Sequence, residues 1–192
     1  MTHFEKFPSI NQFHGVNRVV GKFWNMEQRP TIRYRPKIKI QGTNAGVRIA
    51  PDGKVIPQKR NGDIDKDSDN AGFRVGVESQ EEYWASLAQD NRIVVWGEWA
   101  GPGIQKGTAA SLIEKNQLFV FAVLFEDSTI LFDPKLIEKK LGKDKPDDVH
   151  IVPWAGDEIS IDFMLIGDME RKLEKINKHV LEVEKLDPYF NE

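Results

Sequence analysis

The chain contains no cysteine. Disulfides and thiolate metal sites are therefore excluded, which fits a cytoplasmic protein. It has no apolar run long enough to span a bilayer and no signal peptide at its start, so no membrane partner is expected. Its four histidines, His3, His14, His150 and His179, are too scattered to form a spaced metal motif. No internal repeat or low-complexity segment is present. The net charge is only −3, which argues against a bulk, non-specific coat on nucleic acid. What remains is a 192-residue chain with enough apolar content for a real core, read as one domain over residues 1–192.

The near-neutral total conceals an asymmetry. Between Thr31 and Arg60 stand eight basic residues (Arg33, Arg35, Lys37, Lys39, Arg48, Lys54, Lys59 and Arg60) against one acid, Asp52. Acids gather later, over 63–69 and 144–158. A basic patch in a mildly acidic protein suits a phosphate-bearing ligand.

Along the chain, Ser9 followed by Gln12 has the spacing of a capping box. Ile10, Phe13, Val16, Val19 and Val20 continue as a rough helical stripe. From Thr31 the pattern alternates, with Pro36, Ile38 and Ile40 on one side and Arg35, Lys37, Lys39 and Gln41 on the other. That predicts a strand running into a turn at Gly42. Val47 to Ile49, the turn Pro51-Asp52-Gly53-Lys54 and a strand at Val55-Ile56-Pro57 predict a hairpin. Gly72 to Val77 reads as strand-like, and Glu78 to Asp90 as a helix with Tyr83, Trp84 and Leu87 on its apolar side. Ile93 to Trp96 reads as a buried strand delivering Gly97 and Glu98 into the glycine-rich stretch 101–107. Lys106-Gly107-Thr108 lies in the wrong order for a P-loop. Gln117 to Phe125 reads as a central strand and Thr129 to Phe132 as its return. Asp133 then caps a helix that has Pro134 in its first turn and Gly142 as its stop. Val149 to Pro153 is expected to be a strand, and Asp168 to Leu186 a helix with Met169, Leu173, Ile176, Val180 and Val183 along one side. The whole is an α+β pattern built on an antiparallel sheet.

Two residues have chemical potential. Lys39 stands three before Gly42 among other cations. A lysine attacks an electrophile only as the free amine, and cationic neighbours favour that form. Glu98 ends an apolar strand, where a carboxylate without partners is costly.

Lys39-Ile40-Gln41-Gly42-Thr43-Asn44 resembles the nucleophile motif of the covalent nucleotidyltransferases. Lys59-Arg60, Gly62 and Ile64 are similar to the arginine motif that follows it. The stretch from Trp96 through Glu98 to Lys106 resembles most closely the nick-sealing RNA ligases of the phage RNA ligase 2 type. Phe119-Val120-Phe121 resembles the strand whose phenylalanine stacks on adenine, and Phe7-Pro8-Ser9-Ile10 is similar to the family's opening. The resemblance covers most of the first 125 residues. It implies an antiparallel-sheet, ATP-grasp-like nucleotidyltransferase domain with flanking helices. It also implies an ATP-dependent RNA ligase using Mg2+, in which Lys39 carries AMP to the 5′-phosphate of an RNA.

By resemblance, Ile38 and Ile40 contact adenine through their backbone, Gln41 lies in the ATP site, and Asn44 and Arg60 orient phosphate or sugar. Glu98 takes the ribose hydroxyls and Phe121 stacks on the base. Arg35, Lys37, Arg48, Lys59 and Lys106 form the expected phosphate or RNA patch, on a nicked duplex or on broken ends. Gln41 stands where a histidine or an acid is common, and Ala122 where an aspartate is common. The family's later Glu-Gly and Lys-x-Lys strands have no counterpart, so the domain is expected to be incomplete at its C-terminus, with a missing C-terminal segment in trans as a partner to look for. No metal ligand is assigned. A non-catalytic nucleotide- or RNA-binding remnant, or a subunit of a split ligase, is the alternative of another class; a DNA ligase is a weaker one.

Overall fold

A computed structural model describes residues 3–22, 31–89, 91–162, 170–172, 174–175 and 177–178. Contacts divide the chain into two compact units. The first comprises Met1–Phe7 and Lys39–Pro153, the second Pro8–Ile38 and Trp154–Glu192.

The second unit contains helix α1 (Phe13–Gly21), strand β1 (Thr31–Tyr34) and, late in the chain, β9 (Ile159–Asp162). β1 and β9 form an antiparallel ribbon. Alternation puts Ile32, Tyr34, Ile159 and Ile161 on one face, where they pack with Val16 and Val20 of α1. The expected capping box is not formed. Helix α1 begins at Phe13 with Gln12 at its N-cap and no side-chain cap. Ile10 and Val19, placed on the apolar stripe by spacing, are exposed. Residues 170–172, 174–175 and 177–178 are helical; the rest of the helix expected over 168–186, including its apolar stripe, lies outside the described residues.

In the first unit a seven-stranded sheet runs β4-β3-β2-β5-β6-β7, with β8 also on β6. These strands are β2 (Thr43–Ile49), β3 (Val55–Lys59), β4 (Gly62–Asp63), β5 (Ile93–Ala100), β6 (Gln117–Phe125), β7 (Ile130–Leu131) and β8 (Val149–Ile151). The predicted hairpin is β2–β3, paired from Ala45 with Lys59 to Ile49 with Val55. Both long apolar runs are the central strands β5 and β6. β8 pairs with β6 in parallel, so the sheet is mixed at that edge.

One face of this sheet carries Ala45, Val47, Ile49, Ile93, Val95, Trp99, Leu118, Val120 and Val123. It is closed by α2 (Phe73–Ser79), α3 (Glu81–Ser86) and α4 (Pro134–Leu141), through Phe73, Val77, Trp84, Ile137 and Leu141. The strand expected at 72–77 is therefore helix α2. Alternate apolar residues suggested a strand, but Phe73 and Val77 are buried four apart while Val75 is exposed, which is a helical face. Asp69 fixes the helix start by accepting from the N–H groups of Gly72 and Arg74, each at 2.9 Å. The helix expected over 78–90 is accordingly split, with α2 ending at Ser79 and α3 starting at Glu81.

Helix α4 follows its sequence closely. Asp133 accepts from Lys135 N–H (2.9 Å) and Leu136 N–H (3.2 Å), and Gly142 closes the helix at φ 78°. Asp133→Ala should cost about 1 kcal/mol, the usual worth of an N-cap, read as a lower urea midpoint at unchanged slope.

Candidate functional site

The site is built on the sheet face opposite the helices. Asn44 of β2 pairs with Glu98 of β5, so both side chains emerge on that face. Between Trp96 and Gly97 the register against β6 shifts: Trp96 pairs with Ala122, Gly97 with Val120. Phe121 is the extra residue of this bulge. Counted back from Val123 it belongs to the helix-facing core; the bulge turns it outward instead. There it packs with Trp96 and Ala122 on one side and with Phe119 and Val152 on the other. Phe7 meets Phe121 edge-on at 4.8 Å and Trp96 at 5.2 Å. The strap preceding Phe7 is tied to the sheet, since Glu5 O accepts from Gln58 Nε2 (2.9 Å) and Trp96 Nε1 (3.2 Å).

The expected strand over Pro36–Ile40 is not present. β1 ends at Tyr34 and β2 starts at Thr43, with one isolated bridge between Lys37 and Trp154. Pro36 has no N–H to give to a ladder; its carbonyl accepts from Ala155 N–H at 2.9 Å. The alternation that set Lys37 and Lys39 on one strand face therefore does not hold as far as Lys39. Arg35, Lys37 and Ile38 belong to the second unit, Lys39 to the first.

Gly42 is the pivot of the turn into β2. Its N–H donates to the Glu98 carboxylate, and its carbonyl accepts from Gln105 Nε2 at 2.8 Å. A Cβ at Gly42 would lie 2.4 Å from the carbonyl oxygen of Trp99 and 2.9 Å from Glu98 Cγ, so only glycine permits this approach. Burial pushes the Glu98 carboxyl above the ordinary carboxylate range, while the Gly42 N–H and the charges of Lys39 and Arg60 pull it back down. Lys39, Arg60 and Glu98 thus converge electrostatically around one pinned peptide. Lys39, Gln41 and Arg60 are exposed; Ile40 packs against Ala100, Phe119 and Val152.

The residues expected in a phosphate or RNA patch differ in their surroundings. Lys59, at the end of β3, and Lys106, in the loop after β5, are exposed. Arg48 does not belong to it. It is 1% exposed and its guanidinium pairs with Asp63 at 2.5 Å. On a central strand with 1% exposure it must be compensated internally, and Asp63 of β4 supplies that charge.

Two residues at the site were not singled out by sequence reasoning. Gln105 lies within the stretch from Trp96 to Lys106 that carries the resemblance, and its bond to Gly42 O has no local signature. His150, set aside as a scattered histidine, stacks on Phe119 at 5.4 Å. It pairs in register with Phe119, which itself pairs with Glu98, so Asn44, Glu98, Phe119 and His150 form one row across four strands. Among the described residues no group of three or more histidine, aspartate or glutamate side chains is placed to hold a metal ion, and no helix is long and apolar enough to cross a membrane.

No family model and no curated protein matches the chain. Solved structures do. A Naegleria gruberi RNA ligase variant with ATP and Mn superposes with a TM-score of 0.59 at 16% identity, over 81% of this chain and 44% of that one. A second variant with ATP and Mn gives 0.56 at 18% identity, over 80% and 44%. A third, with AMP and Mn, gives 0.53 at 18% identity, over 68% and 38%. The chain therefore has an RNA-ligase-like α+β fold and spans less than half the length of the ligases it resembles.

Proposed function

We propose that the chain is the nucleophile-bearing part of an ATP-dependent RNA ligase of the nick-sealing, phage RNA ligase 2 type. The observation that carries this reading is the Gly42 peptide. It is held through its N–H by Glu98 and through its carbonyl by Gln105, beside the charges of Lys39 and Arg60.

Lys39 Nζ attacks the α-phosphorus of ATP. A P–N bond forms, the P–O bond to pyrophosphate breaks, and the amine gives up a proton. AMP then passes to the 5′-phosphate of an RNA, and a 3′-hydroxyl displaces it to form the phosphodiester. Such transfers depend chiefly on positioning and on positive charge around the phosphates; Arg60 supplies charge, while Lys39 itself reacts as the free amine. Glu98 and Asn44 face the sugar, and Phe121, turned outward by its bulge, offers a ring to the base. Mg2+ at such a site would be held chiefly through the ATP phosphates and water, with one or two carboxylates at most from the protein. The Glu-Gly and Lys-x-Lys strands of this chemistry have no counterpart in the sequence, so a segment bearing them completes the reaction.

With that segment, ATP, Mg2+ and a nicked RNA duplex, AMP should appear on the 5′-phosphate and Lys39→Ala should abolish it. AMP transfer that survives Lys39→Ala overturns the assignment. A stronger response to nicked DNA than to RNA would make the chain a DNA ligase instead.

A further inference from the structure

Two buried hydrogen-bond donors outside the Gly42 turn converge on the open face of the sheet. Gly46 of β2 pairs with Gln58 of β3 on one side and with Trp96 of β5 on the other, so the three form a row. Gln58 is 2% exposed and Trp96 1%. A Cβ at Gly46 would lie 3.0 Å from Gln58 Cγ and 3.1 Å from Trp96 Cδ1. The glycine therefore lets both side chains lean over it, and their N–H groups meet at one acceptor, the carbonyl of Glu5. Asn44 lies two residues along β2 from Gly46. This row thus runs about 7 Å from the one that carries Asn44 and Glu98.

The row is a socket for the strap that precedes Phe7. The Glu5 carboxylate is tied as well, accepting from Arg92 Nη1 at 2.5 Å, and the Arg92 backbone N–H donates to Glu126 at 2.8 Å. Pinned at Glu5, the strap sets Phe7 against Phe121 with the rings 71° apart and against Trp96 at 76°, with Phe132 6.5 Å away. Edge-to-face contacts favour one relative angle between rings. Phe121 is the ring that the bulge in β6 turns toward the site. Gln58 is an expensive way to fill its place. Its Oε1 is buried and has no hydrogen-bond partner among the described residues, and an amide buried with part of its capacity unmet opposes folding. An apolar side chain would avoid that penalty, but it would give the Glu5 carbonyl no N–H from β3.

We infer that Gln58 is a positioning residue for nucleotide binding: through the Glu5 carbonyl it seats the strap, and Phe7 then holds the Phe121 ring at the angle at which it receives a base. The identity of the ligand as a nucleotide rests on the ligase reading above; the socket itself rests on the geometry at Gly46.

The test is titration calorimetry of the whole chain with ATP and with inorganic tripolyphosphate, a probe that has the phosphates without the base. Gln58→Met keeps the length of the side chain and removes the donor. Phe7→Leu keeps apolar bulk and removes the ring. Each should weaken ATP binding about three- to tenfold, the worth of one hydrogen bond or one aromatic pair, and leave tripolyphosphate binding unchanged. Phe7→Tyr, which keeps the ring, should bind ATP as the parent does. Equal loss of both ligands, or unchanged ATP affinity with a lowered urea midpoint, overturns the positioning role and leaves Gln58 structural. Tighter ATP binding by Phe7→Leu also overturns it and makes the strap a cover over Phe121. Labelling of Lys39 from ATP is measured in the same proteins, with the segment bearing the Glu-Gly and Lys-x-Lys strands. If the parent takes no label while its ATP affinity responds to Gln58→Met, the ligase reading falls and the positioning role stands. A labelled parent whose ATP affinity ignores both variants removes the positioning role alone, and a parent that binds no ATP overturns both.

Discussion

Replacing Gly42 with valine is expected to abolish covalent nucleotide attachment and to lower the stability of the chain by about 3 kcal/mol or more, the upper range for forcing bulk into a packed position. The cause is local. A Cβ here meets the Trp99 carbonyl at 2.4 Å and the Ala100 Cβ at 2.9 Å, and a backbone oxygen in a central strand cannot move aside as a flexible side chain can. The turn must lift off β5. That breaks the bond from Gly42 N–H to Glu98 and the bond from Gln105 to Gly42 O together, and Lys39 loses its placement. Urea denaturation and labelling with α-phosphate-labelled ATP check both halves. A valine variant of normal midpoint that still takes the label would show that the turn is not held as described.

Substituting glutamine for Glu98 should separate function from stability. Burial raises the pKa of this carboxyl above its unfolded value of 4.5. Its contribution to stability is therefore complete below that value and is lost as pH rises through the folded-state pKa. Glutamine has no such loss. The stability difference should widen in favour of Glu98→Gln as pH climbs from 4.5 toward neutrality and then level off. Nucleotide attachment should fall at the same time by roughly ten- to hundredfold, the worth of a hydrogen bond to a charged group at about 1.5–3 kcal/mol. Thermal unfolding of both proteins across pH shows the first effect. Parallel curves, or a glutamine variant less stable at neutral pH than at pH 4.5 relative to the parent, would mean that Glu98 is not the strained group the geometry implies.

Much of this arrangement was legible in the chain because it is set by local chemistry. The β2–β3 hairpin follows from Pro51-Asp52-Gly53-Lys54. Helix α4 follows from Asp133, Pro134 and Gly142, whose cap and stop act within a few residues. β5 and β6 announced themselves as continuous apolar runs. The motif around Gly42 and Glu98 was visible as well, and the structure brings those two residues into contact.

What stayed hidden depends on partners distant in the chain. Arg48 reads as one more cation in a basic stretch; only the pairing of β3 with β4 shows that Asp63 takes its charge. The alternation through Phe73, Val75 and Val77 suits a strand, while Phe73 and Val77 alone suit one face of a helix, and Asp69 favours the helix by holding the N–H groups of its first turn. The ladder through Pro36 to Ile40 fails because Pro36 lacks an N–H and the chain must turn at Gly42. The bulge at Phe121 leaves no trace in a strand that is apolar on both faces, yet it determines which way that ring points. Trp154 gives no sequence signal as the partner of Arg35 and Lys37, more than a hundred residues away.

The central claim is that Lys39 is a nucleophile toward a nucleotide held on the open face of the sheet. Its most direct test is to incubate the chain with ATP labelled at the α-phosphate and Mg2+, with and without a segment carrying the Glu-Gly and Lys-x-Lys strands, and to map the labelled peptide by mass spectrometry. The expected result is one AMP per chain on Lys39, strong with the segment, weak without it, and absent from Lys39→Ala. Label on another residue, or label that persists in Lys39→Ala, would contradict it.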